Sequence, residues 1–369
     1  MAKPASNACN LSCEYCFYLD KSSLEPRPHQ RWKMTSETLE LYVKQYIEAQ
    51  DGPIVEFTWQ GGEPSMRGLP FFQEAVALAE KYRAGKTVNH SFQTNGVGLT
   101  EEWIRFFADN DVLIGLSIDG PQPVHDTYRV SRSGLGSYEQ VVSTLALLKR
   151  FGVRFNVLTV VGEHNFNRGQ EVYEHLRELG ARHIQFIPLV ERIQKDNGDL
   201  KLCHPNESSV DVAPFSVTAQ GFGQFLCDVF DIWVRNDVGS VFVQAFDATL
   251  ASWCGKPSGI CVHSPECGHA LALEANGDLF QCDHYVYPEY KLGNIHHQTI
   301  RQLNTSQQAV EFGVARSSAM NRTCRNCFFS FACHGGCLST ALPCRQRGCR
   351  TTTTCVRAIS CITHTPRLS

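Results

Sequence analysis

The 369-residue chain has no apolar run near the roughly 20 residues that cross a bilayer, so no membrane helix is expected. It has no basic excess either. Lys and Arg number 34 against 37 Asp and Glu, a net charge of -3, whereas a nucleic-acid binder usually shows a basic face. Met1-Ala2-Lys3-Pro4-Ala5-Ser6-Asn7 lacks the apolar centre of a secretory leader, which makes the cytoplasm the expected compartment. No cysteine occurs between Cys16 and Cys203. Leu338 to Ser369 contains no Asp, Glu, Phe, Trp or Tyr and runs through four threonines from Thr351, a composition that buries little apolar area.

What the chain has in abundance is cysteine, 17 in all, at two ends: three between Cys9 and Cys16 and most of the rest after Cys254. In a reducing compartment that many thiols point to metal ligation rather than disulfides. Cys203, Cys227 and Cys254 stand outside the patterns and read as ordinary core or loop residues.

Between the two cysteine groups the sequence alternates helix and strand periodicities. Helical spacing covers Thr35 to Gln50, Leu69 to Arg83, Glu101 to Asn110, Tyr138 to Phe151, Arg168 to Leu179 and Gly221 to Asn236. Strand patterns cover Ile54 to Trp59, Thr87 to Gln93, Val112 to Ile118, Val153 to Val161 and His183 to Ile187. With a strand before Cys9, about six βα units result, hence a parallel sheet with right-handed crossovers. The pattern fits an open barrel or a doubly wound sheet, and in both the loops after the strands hold the chemistry. Glu191 to Pro214 reads as a long polar loop, and a domain boundary is expected near residue 240.

Cys9, Cys13 and Cys16 follow the spacing C-x3-C-x2-C. Three thiolates on one loop hold three irons of a [4Fe–4S] cube and leave the fourth open to a small molecule. Zinc would want a fourth ligand, for which His29 among prolines is the nearest candidate. At the other end, Cys267-x9-Gly277-x4-Cys282 precedes Cys324-x2-Cys327-x5-Cys333-x3-Cys337. A zinc ribbon would account for Cys324 and Cys327 and leave the other cysteines unexplained.

The first spacing, with Tyr15 before its last cysteine, resembles the radical S-adenosylmethionine (SAM) superfamily, and the second resembles its SPASM auxiliary-cluster extension. From Lys3 to about Cys337 the chain is most similar to the anaerobic sulfatase-maturating enzymes. The likeness is carried by Lys3-Pro4-Ala5-Ser6, Tyr15-Cys16-Phe17-Tyr18-Leu19, Thr58-Trp59-Gln60-Gly61-Gly62-Glu63-Pro64, Gln93-Thr94-Asn95-Gly96, Ser117-Ile118-Asp119-Gly120-Pro121 and Cys282-Asp283-His284-Tyr285-Val286-Tyr287-Pro288. The resemblance implies an α/β chain: a partial (β/α)6 radical SAM barrel over residues 1–240, a SPASM iron–sulfur domain over 241–337, and an anomalous tail from 338 to 369.

It implies a SAM-binding [4Fe–4S] cluster on Cys9, Cys13 and Cys16, with Tyr15, Gly62, Ser117, Arg129 and Val190 as cofactor contacts. One auxiliary cluster would take Cys261, Cys267, Cys282 and Cys337, and a second Cys324, Cys327, Cys333 and a cysteine of the tail. Among Cys344, Cys349, Cys355 and Cys361, Cys355 best fits the gap. The implied reaction turns a sulfatase cysteine or serine into Cα-formylglycine: a 5′-deoxyadenosyl radical takes a Cβ hydrogen, a base takes the proton, and an auxiliary cluster takes the electron. Asp283 matches the family's base, and an unpaired carboxylate in a buried site has the raised pKa that suits one; His284 is the alternative. Expected partners are a sulfatase polypeptide and an electron donor such as flavodoxin or ferredoxin, with no nucleic acid and no membrane.

Three rivals remain: radical modification of another ribosomal peptide, such as thioether cross-linking; a zinc-stabilised interaction protein; and an inactive relative. The tail departs from the family pattern and reads as a shifted frame near residue 338 or a degenerate end. With eight residues before Cys9, the first strand is expected to be incomplete.

Overall fold

The computed structural model describes residues 1–16, 18, 33–196, 199–202, 211–268, 270–320, 322–337 and 339. Its main sheet has six strands: β1 (Ile54–Trp59), β2 (Thr87–Thr94), β3 (Leu113–Ser117), β4 (Phe155–Val161), β5 (His183–Pro188) and β9 (Phe242–Val243). They lie side by side in chain order, parallel where β1 meets β2, β2 meets β3, β4 meets β5 and β5 meets β9. A doubly wound sheet reverses its strand order at a switch point. This one never does, which selects the singly wound, barrel-type alternative.

The chain packs as two units. One holds residues 1–117, 128–156 and 268–312; the other holds 118–127, 157–267 and 313 onward.

In the first unit, α1 (Ser36–Ala49) is capped by Thr35, whose side chain accepts from the Thr38 N–H, and it buries Leu39, Tyr42, Val43 and Ile47 at helical spacing. Next come α2 (Leu69–Tyr82), α3 (Glu101–Asp109) and, after the crossover residues, α5 (Tyr138–Arg150); α4 is a single turn, Gln122–His125, in the second unit. An aromatic core joins them. Phe72 packs on Phe92 at 5.0 Å and on Trp103 at 5.5 Å, and Phe107 packs on Phe92 at 5.1 Å. Truncating such a ring to alanine costs about 3–5 kcal/mol.

The first unit also contains a small antiparallel sheet, β10 (Ala272–Leu273), β11 (Asp278–Phe280) and β12 (Lys291–Asn294). Gly277 turns β10 into β11 with φ +87°, and a Cβ there would stand 2.8 Å from the His296 ring. The glycine of the cysteine motif is therefore a turn requirement.

The strand expected before Cys9 shrinks to one residue, Ala2, which bridges Trp59 of β1 and Leu273 of β10. The sixth strand comes instead from β9. Another difference lies in the segment read as a long loop, which carries β6 (Arg192–Asp196), β7 (Asp199–Leu202) and β8 (Asp211–Val212), antiparallel to one another. Asp196 pairs with Asp199, and Ile193 with Leu202.

In the second unit, α6 (Gly169–Glu178) is followed by α7 (Ala219–Asn236), which buries Phe222, Phe225, Leu226, Val229, Phe230 and Trp233 along one face. Phe225 meets Phe186 of β5 at 5.0 Å. Cys227 in α7 is disulfide-bonded, a correction to its reading as an ordinary core cysteine. Helices α8 (Gln244–Trp253), α11 (Arg322–Arg325) and α12 (Ser330–Cys333) also belong to the second unit, whereas α9 (Ile300–Asn304) belongs to the first unit and α10 (Gln307–Ala319) includes residues of both. Among the described residues no helix is long and apolar enough to cross a membrane.

Candidate active site

The Cys9–Cys16 loop is held by backbone from two sides. Gly62 N–H donates to Ser6 O at 2.8 Å and Glu63 N–H to Ala8 O at 2.7 Å, while Ser12 N–H reaches Val130 O at 2.8 Å. A Cβ on Gly62 would lie 2.3 Å from Ala8 O and 2.6 Å from the Asn7 carbonyl, so only glycine lets the two loops touch. Beneath them Glu63 is fully buried and accepts from Thr94 Oγ1 at 2.9 Å, Asn95 N at 2.8 Å and Ser65 N at 3.1 Å. Burial raises its pKa against those donors.

Leu11 N–H and Asn95 Nδ2 point at the Cys9 sulfur at 3.4 and 3.5 Å. Burial pushes the Cys9 thiol up to about 11, and the charges of Glu63 and Cys16 add to the effect. Without a cation the thiol keeps its proton. With iron it becomes a ligand whose sulfur already has hydrogen-bond donors, as iron–sulfur sites require. The donor set therefore fits a cluster. Among the described residues no group of three His, Cys, Asp or Glu gathers as it would around a single metal ion.

The expected cofactor contacts fall as follows. Tyr15 is buried, with the Arg129 guanidinium 5.7 Å from its ring centre and Tyr128 edge-on at 5.8 Å. Arg129 is itself buried. Ser117, ending β3, accepts from Gln93 Nε2 at 3.3 Å. These residues share the first unit with the three cysteines, whereas Val190 follows β5 in the second. A cavity of about 370 Å³ adjoins Cys9, lined by Asn10, Met66, Ser131, Arg132 and Ser133.

Asp283 follows Cys282 just after β11 and is buried, while His284 beside it is exposed. The expected unpaired carboxylate is corrected here: Lys3 Nζ lies 2.6 Å from Asp283 Oδ1, and Oδ2 accepts from the Tyr18 hydroxyl and, at 3.4 Å, from Gln60 Nε2. Lys3 is fully buried and also holds Glu274 at 3.0 Å. Burial works against its charge, yet Asp283 and Glu274 outweigh it and hold the ammonium pKa above its usual value. Glu274 is steadied in turn by Ser6 Oγ at 3.0 Å. Lys3, Tyr18 and Gln60 lie within the family-like motifs, but nothing in their spacing marks them as partners of Asp283. Their signal was proximity to the cysteine loop and to the Gly61-Gly62 turn.

In the second unit, partial burial raises the Cys261 and Cys267 thiols, and each feels Cys337. Burial and the nearby Cys333 and Cys327 likewise raise Cys324. Electrostatic influence thus links Cys261 and Cys267 to Cys337, and Cys324 to Cys333 and Cys327; Cys282 belongs to the first unit. Cys355 lies outside the described residues.

A singly wound parallel sheet, a three-cysteine loop and a second cysteine-rich region define a radical SAM enzyme with auxiliary clusters. The Radical SAM superfamily model matches residues 4–179, and the iron-sulfur cluster-binding domain model, SPASM, matches 266–328. The chain is 43% identical over 338 residues to the serine-type anaerobic sulfatase-maturating enzyme of Bacteroides thetaiotaomicron, covering 91% of this chain and 81% of that one. It is 32% identical over 342 residues to the cysteine-type enzyme of Clostridium novyi, covering 91% and 87%. A solved structure, native anSMEcpe with bound AdoMet and Cp18Cys peptide, superposes with a TM-score of 0.84 at 28% identity, covering 98% and 95%. The chain belongs to the anaerobic sulfatase-maturating enzymes.

Proposed function

We propose that this chain oxidises a cysteine or serine of a sulfatase polypeptide to Cα-formylglycine, with Asp283 as the base. When bound, the cluster and SAM would supply 5′-deoxyadenosyl radical chemistry at the target Cβ and an auxiliary cluster would supply the electron sink; a serine would become the aldehyde directly, and a cysteine a thioaldehyde that water converts to the aldehyde with loss of hydrogen sulfide. The rest falls to the protein's own side chains. Asp283 takes the proton of the target thiol or hydroxyl, while Lys3 fixes one carboxylate oxygen and Tyr18 and Gln60 aim the other. Cys9, Cys13 and Cys16 hold the SAM-binding cluster; Tyr15, Gly62, Ser117, Arg129 and Val190 contact SAM. Cys261, Cys267, Cys282 and Cys337 hold one auxiliary cluster, and Cys324, Cys327, Cys333 and Cys355 the other. Residues 1–240 carry the radical machinery, 241–337 the auxiliary clusters, and 338–369 a tail. A cytoplasmic flavodoxin or ferredoxin delivers the electrons.

The observation that carries the reading is the buried Asp283 held between Lys3 and Tyr18. The test is anaerobic: reconstituted protein, SAM, reductant and a peptide with a Cys-x-Pro-x-Arg or Ser-x-Pro-x-Arg motif, following peptide mass and 5′-deoxyadenosine together. A mass loss matching aldehyde formation, with equimolar deoxyadenosine, is the expected result. Deoxyadenosine with neither peptide changed would assign the radical site to another substrate. Absence of both products would mark an inactive relative.

A further inference from the structure

The geometry points to Arg316 as the counter-ion that raises the reduction potential of the auxiliary cluster on Cys261, Cys267 and Cys337. This rests on the assignment of those three cysteines to one cluster.

Arg316 lies in α10, three residues after Gly313, whose carbonyl accepts from the Cys267 N–H at 2.9 Å. Its side chain is 2% exposed. The guanidinium donates to Cys261 O at 2.6 Å and to Val262 O, and its positive charge acts on the Cys267 thiol. Among the described residues no carboxylate pairs with it, and its Nε has no hydrogen-bond partner. His263, two residues beyond Cys261, likewise has a buried Nδ1 without a hydrogen-bond partner.

A buried cation without an anion is costly, because it has lost its hydration with no opposite charge to replace it. The anion that resolves this is the cluster. Its thiolates bring net negative charge, which grows by one when the cluster accepts an electron. A fixed positive charge in a low-dielectric wall favours the more negative, reduced state, and so raises the potential. That makes the cluster a better sink for the electron left by the substrate.

The experiment is an anaerobic redox titration of the full, reconstituted chain followed by electron paramagnetic resonance, comparing Arg316→Gln and Arg316→Lys with the parent. Iron is counted in each, and the relevant signal is identified by its loss in Cys267→Ala. In Arg316→Gln that one signal is expected to move to a more negative potential at unchanged iron content, with the other clusters as internal references. Arg316→Lys, which keeps the charge, should restore most of the shift. An unmoved potential at full iron content overturns the proposal, as does an equal shift of every signal. Loss of the cluster's iron from both variants would make Arg316 a structural strap instead. Retention of every signal and all iron in Cys267→Ala would overturn the ligand assignment, independently of what Arg316→Gln shows.

Discussion

Replacing Lys3 with methionine keeps the length of the side chain and removes a cation between two carboxylates, 2.6 Å from Asp283 and 3.0 Å from Glu274. Lys3 is fully buried, so solvent screening does not soften the change. Removing one partner of a buried ion pair costs about 3–5 kcal/mol, because the remaining charge is stranded. In a protein of 369 residues that corresponds to a melting temperature lower by roughly 4–6 °C. The double variant Lys3→Met/Glu274→Gln removes one stranded carboxylate as well. Coupling between contacting groups is about 0.5–3 kcal/mol, so the double variant should recover part of the loss. Catalysis should suffer separately. With Oδ1 unanchored, Asp283 loses its aim, and peptide oxidation should fall by more than tenfold while SAM cleavage to deoxyadenosine continues. The assays are thermal melts of reconstituted protein and a paired count of deoxyadenosine and oxidised peptide. A Lys3→Met protein melting within 2 °C of the parent, or a double variant no more stable than the single, would refute the reasoning.

Asp283→Asn should lower peptide oxidation about 10²- to 10⁴-fold, the usual worth of a general base, while leaving peptide-free deoxyadenosine formation unchanged; equal loss of both would remove Asp283 from the proton step. Gly62→Ala forces a methyl group into the Asn7–Ala8 backbone and should cost about 1–3 kcal/mol, and iron analysis should find the cluster on Cys9, Cys13 and Cys16 depleted before the auxiliary ones. His90 gives a pH dependence. Burial lowers its pKa from 6.5 to about 4, and Trp59 Nε1 donates to its Nδ1 at 3.2 Å, so the folded ring is neutral. The unfolded chain binds that proton first, so the effect is absent above pH 6.5 and grows as pH falls towards 4, reaching about 3 kcal/mol. Melts of His90→Phe across that range should show a shallower acid decline, and a parallel curve would contradict the account.

The sheet and the metal loops were legible because each is written in neighbouring residues. Ile54–Trp59 alternates buried and exposed along its length, and Cys9, Cys13 and Cys16 sit within eight positions. Strand order was not legible, since periodicity says which residues face inward but not on which side the next strand is added. The pairing of β6 with β7 was not legible because the polar composition of the segment resembles that of a loop. Lys3 and Glu274 could not be paired from sequence: they stand 271 positions apart, and a lone lysine near a terminus reads as solvated. Arg316 is hidden for a similar reason, since one basic residue on a surface-type helix says nothing about the carbonyls it will meet.

Ala2 bridges both β1 and β10, and this has a consequence for synthesis. The segment leading into the cysteine loop has its hydrogen-bonding edge completed by residues made 271 positions later. At ribosomal speeds of about 5–20 residues per second, that edge stays open for roughly 14–54 s. Local helices close in microseconds, so the loop waits on chain elongation rather than on its own search. Iron delivered before β10 emerges meets thiols whose frame is half built, and iron delivered afterwards meets a closed one.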